Sequence, residues 1–478
     1  MLLKRFFEYP IAFIVCWAVL SLWTVIKPPF QTSDEFSHYA KALSISQGLI
    51  TPAFEFPVKK ADINPLLVAL DLHFIPFGAN VKIGWDRLRM LKNAVWPYPS
   101  HDGLMPIEST AYTYPYPLYA LVYYGGQGIT DHFKLSPYDS HYTYRLVAAF
   151  FAALLWVFFL FLLGRSPFAE SKYFLWVFCV FNPVVSFMSG SINPDSILLP
   201  AAAIAMISVY MALLQNRYML LACFALTLTA LVKRPGLFMV VIVPAMAAGI
   251  CWHSSRRVET FKALLPKTLL LTFMPVMLSY ALYYAYAPGA LDSEKTFHAA
   301  DVGILGYLAM QWARTGSIAV GFWGSLGWTD YGLPHWAVAF AYLVVLLNLV
   351  MFLKDKSKDN SRQLAIVLFY AFIAHLAVLY LMEIYYVKIV GFLLQGRYFL
   401  PAVLGVAVLL LHDRRWLRYV TMFMLFAFHV YLLEATVERY YDGNWRLAYK
   451  SRPYVAYPLK KKEKLNLPLA EFGLKKAP

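Results

Sequence analysis

Residues 11–27 read Ile11-Ala12-Phe13-Ile14-Val15-Cys16-Trp17-Ala18-Val19-Leu20-Ser21-Leu22-Trp23-Thr24-Val25-Ile26-Lys27, and the chain continues Pro28-Pro29-Phe30-Gln31-Thr32-Ser33-Asp34-Glu35-Phe36-Ser37-His38-Tyr39. The first part is apolar over the length that crosses a hydrocarbon core as a helix, roughly 20 residues. Directly beyond it stand two adjacent carboxylates. Acids are costly to hold near hydrocarbon and mark function when found there.

Outward from this stretch the composition points the same way. The chain of 478 residues is 60% hydrophobic and only 14% charged, too apolar for a soluble domain of this length. Apolar runs of similar length recur at roughly 9–27, 143–164, 173–190, 196–214, 217–232, 236–252, 266–286, 334–353, 363–386, 394–411 and 416–436. The alternating pattern of an outer-membrane barrel is absent. The expectation is an all-α integral membrane protein of about 11 transmembrane helices over residues 1–436. The first span lacks a small-residue cleavage site and reads as retained.

Orientation follows from the short loops. With Lys4 and Arg5 in the cytoplasm, the cytoplasmic connections carry Arg165 and Lys172; Arg217; Arg256, Arg257, Lys262 and Lys267; Lys354, Lys356, Lys358 and Arg362; and Arg414, Arg415 and Arg418. This is the positive-inside pattern. The opposite face then holds two long loops, 28–142 and 287–333, and a basic tail, 437–478. The first loop is too long for a mere connection and must fold. Its stretch Phe36, Tyr39, Ala40, Leu43 and Ile45 has the spacing of an amphipathic helix lying along the membrane surface. The net charge of +15 is thus mostly topology, with some left for anionic headgroups, and no nucleic acid is called for. Cys16, Cys179, Cys223 and Cys251 all fall in or at the ends of apolar runs, which disfavours a disulfide framework.

Several external residues break the pattern. Lys233-Arg234-Pro235-Gly236 and Gln395-Gly396-Arg397-Tyr398-Phe399-Leu400-Pro401 place cations on the external face. Each has a bland reading, cations snorkelling at a helix end, and a functional one, a phosphate seat beside a helix break. Asn193-Pro194-Asp195 is either turn and cap chemistry or a second external carboxylate. Tyr112-Thr113-Tyr114-Pro115-Tyr116-Pro117-Leu118-Tyr119-Ala120 is either an interfacial aromatic belt or a rigid wall for sugar or prenyl packing. Arg145 is a further candidate partner for a phosphate or carboxylate, and Trp328-Thr329-Asp330 sets an aromatic beside an acid. The histidines have no metal-binding spacing; a divalent ion on Asp34, Asp195 or Asp330 stays open, and no cofactor is required.

Within the opening stretch, Thr32-Ser33-Asp34-Glu35 fits a capping box, with Thr32 as N-cap and Glu35 folding back. Asp34 would then be free to face a substrate, with His38 one turn on to orient it.

Pro28-Pro29 with Asp34-Glu35-Phe36-Ser37-His38, the Tyr-Pro loop, Asn193-Pro194-Asp195, Lys233 and Gln395-Gly396-Arg397-Tyr398 resemble a bacterial multi-span membrane family catalogued as a domain of unknown function and grouped with the GT-C glycosyltransferases. The resemblance runs from about residue 10 to 435. It implies a polyprenyl-phosphate sugar donor, an active site on the periplasmic or extracellular face of the bacterial inner membrane, and a catalytic acid just after the first span, the place of Asp34. Donor sugar and acceptor, whether glycan, lipid or protein, do not carry over. On this reading Asp34 is the base and Asp195 its helper, while Lys233, Arg234, Arg397 and Arg145 hold the donor phosphate. Asn193, Tyr114, Tyr116, Trp328, Asp330 and Tyr398 line the sugar and acceptor site, and the transfer is inverting. The alternatives are a polymerase or ligase of lipid-linked glycans and, less favoured, a transporter or flippase.

Overall fold

A computed structural model describes residues 2–32, 34–48, 55–59, 62, 66, 104–108, 117–286, 304–327, 331–355, 360–390 and 395–441. The protein is an all-α integral membrane protein. Among the described residues eight helices are long and apolar enough to cross a bilayer, and a pair bent by 66°, Lys172–Val180 with Pro183–Ser189, makes up to nine. The bend falls at Phe181-Asn182-Pro183, where the Asn182 side chain caps the second helix by accepting from the Val184 and Val185 amides. Proline cannot continue the helix before it, so the break and the cap arise from the same residues.

The helices are α1 (Leu2–Ile26), α2 (Glu35–Ser44), α3 (Pro117–Phe133), α4 (Pro137–Leu163), α5 (Lys172–Val180), α6 (Pro183–Ser189), α7 (Asp195–Leu214), α8 (Met219–Val232), α9 (Ile242–His253), α10 (Arg257–Tyr286), α11 (Ile304–Trp323), α12 (His335–Lys354) and α13 (Asn360–Val390), followed after a largely 3-10 run by α15 (Arg415–Tyr440), with the four-residue α14 (Leu404–Ala407) inside that run. Among the described residues two small antiparallel ladders form: β1 (Glu55–Lys59) pairs with β2 (Leu104–Glu108), and β3 (Ser325–Leu326) with β4 (Tyr331–Gly332). The helix α7 is apolar on every side and is the centre of the bundle, 94% of its span being buried. Around it Trp23, Trp156 and Trp323 are fully buried. On the outer faces Phe273 and Met277 of α10 and Phe423 and Phe426 of α15 are exposed. Apolar surface that extensive is stable only against hydrocarbon.

Two of the expected spans are not built as long helices. The segment 217–232 folds as a 3-10 turn, Asn216–Tyr218, and the short α8. The segment 394–411 is wound mainly as 3-10 helix, Gly396–Ala402 and Val408–Leu410, on either side of α14. A 3-10 helix rises about 2 Å per residue, so Gly396–Leu410 reaches nearly the thickness of a hydrocarbon core with too few residues for an α-helical span. It is almost wholly buried, and buried protein is where irregular backbone survives at membrane depth.

Glycine allows this run to pass close to α11. A β-carbon on Gly396 would lie 2.1 Å from the Ile318 carbonyl oxygen and 2.4 Å from the Phe322 nitrogen, both backbone atoms that cannot swing aside. Gly396→Ala is therefore expected to lower stability by about 3 kcal/mol, at the upper end of overpacking effects, read as a fall in the unfolding midpoint in detergent. An unchanged midpoint would show that the two backbones can separate freely.

The expected amphipathic helix is present as α2, but it does not lie with one face free. Every residue of α2 except Ser37 is buried, including His38 and Lys41. Its apolar residues pack with Tyr119, Val122 and Tyr123 of α3 and Tyr144 of α4 in a second core at one end of the bundle. Covering by α3, rather than by lipid, is the difference.

Candidate functional site

The end of the bundle that carries α2 is organised by three ion pairs. The first joins Arg145, near the start of α4, to Glu35, the first residue of α2, and both side chains are fully buried. Arg145 Nε donates to Glu35 Oε1 at 2.7 Å and Nη2 to Glu35 Oε2 at 2.5 Å. Nη2 also donates to the Pro28 carbonyl at 2.8 Å, and Nη1 to those of Thr24 at 3.2 Å and Lys27 at 2.7 Å. A guanidinium has five N–H donors, and all five are engaged. Arg145 therefore has nothing left for a donor phosphate, which corrects that expectation; of the two partners its sequence position allowed, it has the carboxylate. It is the clamp that ends α1 and ties the acidic motif to α4.

Glu35 is correspondingly not part of a capping box. Its carboxylate holds Arg145 and accepts from the Ile192 amide at 3.1 Å. The N-cap of α2 is Asp34, not Thr32, and no side-chain cap bond is made there. Thr32 Oγ1 instead accepts from Lys27 Nζ at 3.3 Å, while the Thr32 carbonyl accepts from the Glu35 amide. A buried guanidinium with a bidentate fork outcompetes a single backbone amide for a carboxylate. Burial alone would raise the Glu35 pKa, but the charge and hydrogen bonds of Arg145 hold it down to about 2, against an ordinary 4.5. A depressed pKa contributes stability above the unfolded value and loses it as pH falls through the folded one. Unfolding midpoints in detergent should thus fall as pH drops from 4.5 towards about 2, and Glu35→Gln should flatten that part of the profile. The same slope in Glu35→Gln would assign the acid sensitivity to other groups.

The second pair is Lys233 with Asp195. Lys233 Nζ donates to both carboxylate oxygens, at 2.8 and 3.0 Å, and both residues are buried. The geometry comes from two helix ends meeting. Lys233 is the C-cap of α8, and Asp195 opens α7, its amide held by Asn193 Oδ1 at 3.0 Å. Asn193 thus serves the turn here.

The third pair is looser. Arg397 Nη2 lies 3.5 Å from Asp34 Oδ2; the Asp34 side chain is 45% exposed and that of Arg397 only 10%. Asp34 has a left-handed backbone, φ 64°, which is uncommon outside glycine and is held where the surroundings over-determine it. Tyr398 links the second and third pairs, its ring centre 5.2 Å from Lys233 Nζ and 5.6 Å from the Arg397 guanidinium. The Tyr398 carbonyl lies 3.4 Å from His375 Nε2.

His38 Nδ1 is 2.7 Å from the Tyr119 hydroxyl, and the two rings stack. Burial first, then the charges of Lys233, Lys41 and Arg397, push its pKa well below the ordinary value, so the imidazole is neutral at pH 7. Lys41 is also buried, 5.1 Å from the Tyr119 ring centre, and burial lowers its pKa.

The fold thus gathers Asp34, His38, Asp195, Lys233, Arg397, Tyr398 and Asn193 at one end of the bundle. The side chain of Arg234, and Tyr114, Tyr116, Trp328 and Asp330, lie outside the described residues. Lys41 and Tyr119 belong to the same cluster; Tyr119 lies at the end of the aromatic Tyr-Pro stretch, whereas the only sequence signal for Lys41 is its spacing three residues after His38 on one helix. Gln395 opens the Gln395-Gly396-Arg397-Tyr398 motif. Among the described residues its Oε1 is buried without a hydrogen-bond partner, as is Arg397 Nε, and the two residues line one small cavity. Among the described residues no three His, Cys, Asp or Glu side chains are grouped to hold a metal.

Chemically, the cluster sets one accessible carboxylate beside a buried carboxylate–ammonium pair and a mostly buried guanidinium. Such a set suits a ligand that brings both an anion and a proton to be removed. The protein is therefore a multi-pass α-helical membrane protein with an ion-paired polar cluster at one end of its bundle. The chain belongs to the family described as predicted membrane protein (DUF2142), which it matches over residues 17–406, a range that contains the whole cluster. No curated protein matches it.

Proposed function

We propose that the protein is a glycosyltransferase of the bacterial inner membrane that takes its sugar from a polyprenyl-phosphate donor. The observation that carries this reading is the meeting of Asp34, accessible and acidic, with Arg397 and the Lys233–Asp195 pair. Asp34 takes the proton of the acceptor hydroxyl as its oxygen attacks the anomeric carbon, and the bond from that carbon to the phosphate oxygen breaks. The leaving polyprenyl phosphate is an anion, so it needs cations more than an acid. Arg397 and Lys233 provide them, with Asp195 holding Lys233 in place. One carboxylate acting as base on the face opposite the leaving group gives inversion. The apolar helix faces below receive the prenyl chain.

The opposite end of the bundle supports the assignment of sides. There Lys172 pairs with Glu8, Arg165 packs over the Phe161 ring, and Lys267 donates to the Leu213 carbonyl. Read with the positive-inside rule, these cations support a cytoplasmic assignment of that end and hence a periplasmic or extracellular Asp34. Asp34, Glu35 and Asp195 lie together at one end of the bundle, which favours transfer over transport, for which charges near the midplane are expected.

The test is to incubate the purified protein with a panel of polyprenyl-phosphate sugars and cell-envelope acceptors. Sugar transfer, or release of polyprenyl phosphate dependent on acceptor, is the expected result. A panel with no turnover in lipid bilayers where the protein remains folded would refute the reading.

A further inference from the structure

The geometry points to Arg397 as a donor-sensing residue that restrains Asp34 until a phosphate displaces it. This inference rests on the proposed transferase reading and concerns the order of events at the same site. Three observations carry it. An aspartate at an N-cap ordinarily accepts from an amide of its own helix, yet Asp34 makes no side-chain cap bond and its charge partner is Arg397. Its backbone is held at φ 64°, a conformation disfavoured for most side chains and tolerated by aspartate and asparagine. Arg397, for its part, is incompletely used: beside its side-chain interaction with Tyr398, its Nη2 contact with Asp34 is long, 3.5 Å, and among the described residues its buried Nε has no hydrogen-bond partner.

A guanidinium in that state is poised to change partner. A phosphate monoester or diester accepts two parallel N–H bonds from an Arg fork, which a single 3.5 Å contact does not match. When the donor phosphate takes Arg397, the Asp34 carboxylate loses its cation and is free to accept a proton from the acceptor. Donor then binds before acceptor, and Asp34 competes with the donor for Arg397. Ordered binding of this kind keeps the base restrained while no sugar is present.

The competition is measurable as affinity. Binding of polyprenyl phosphate to the full-length protein is compared for wild type, Asp34→Asn and Asp34→Gly, with neutral polyprenol of the same length and inorganic phosphate as probes alongside. Asparagine and glycine both tolerate a positive φ, so both variants retain the local backbone. Loss of a half-exposed ion pair should tighten polyprenyl phosphate binding about fivefold in both variants and leave polyprenol unchanged. In an Arg397→Gln background the gain from Asp34→Asn should vanish. Unchanged or weaker binding in both Asp34 variants overturns the proposal, as does a gain that persists without Arg397. A gain seen with inorganic phosphate and not with the lipid overturns the lipid assignment. Failure of the transferase reading is separate: tighter binding without sugar transfer leaves the restraint intact, and transfer without tighter binding removes the restraint alone.

Discussion

Arg145→Met is expected to be the most damaging single substitution in the polar cluster, lowering stability by about 3–5 kcal/mol. It leaves Glu35 buried and uncompensated and strips the carbonyls of Thr24, Lys27 and Pro28 of their donor. The loss is read as the fall in unfolding midpoint in detergent, or as the fraction remaining monodisperse after heating. Arg145→Lys keeps the charge but has three donors for five acceptor contacts, so it should recover only part of the loss. Glu35→Gln should be milder, because a neutral amide still accepts from the guanidinium. A full-stability Arg145→Met protein would mean that water or a second cation reaches Glu35, and the clamp would lose its role.

The second large effect is on chemistry and not on folding. If the protein is the proposed transferase with Asp34 as base, Asp34→Asn should reduce sugar transfer by about a hundredfold to ten-thousandfold, the range for loss of a general base. Folding should be retained, because Asp34 is 45% exposed and asparagine accepts its left-handed backbone. The expected signature is a fall in kcat together with tighter donor binding. Wild-type turnover in the folded variant would remove Asp34 as the base. Lys233→Met is the useful contrast, since it strands Asp195 in a buried site and should reduce stability and donor affinity together.

These two residues show how differently the sequence conveyed structure and site. Glu35 reads in the sequence as a structural acid and is one, but through a partner 110 positions away and not through its own helix end. Arg145 reads as a partner for a phosphate or a carboxylate because a cation near a helix end on that face has no local explanation. Its explanation is three backbone carbonyls at the end of α1, and these cannot be paired with it from spacing alone. The cations Lys233 and Arg397 were legible as departures from the charge pattern, whereas their acidic partners were legible only as separate motifs. The run 394–411 is as apolar as an α-helical span, and hydropathy does not distinguish the two windings. Gly396 pressed against the α11 backbone, with Pro401 inside the run, accompanies the tighter one.

By itself, then, the sequence determined the class and the ingredients. Apolar runs of bilayer length require helices, because only helices satisfy their own backbone bonds in hydrocarbon. Motifs of acids and cations beside prolines and glycines mark where helices stop. Only the tertiary structure decided which charges meet. Helix ends far apart in the chain converge at one end of the bundle, and there burial forces each charge to find a partner. That requirement consumes Arg145 and Glu35 completely, ties Lys233 to Asp195, and leaves Asp34 and Arg397 joined loosely enough to act.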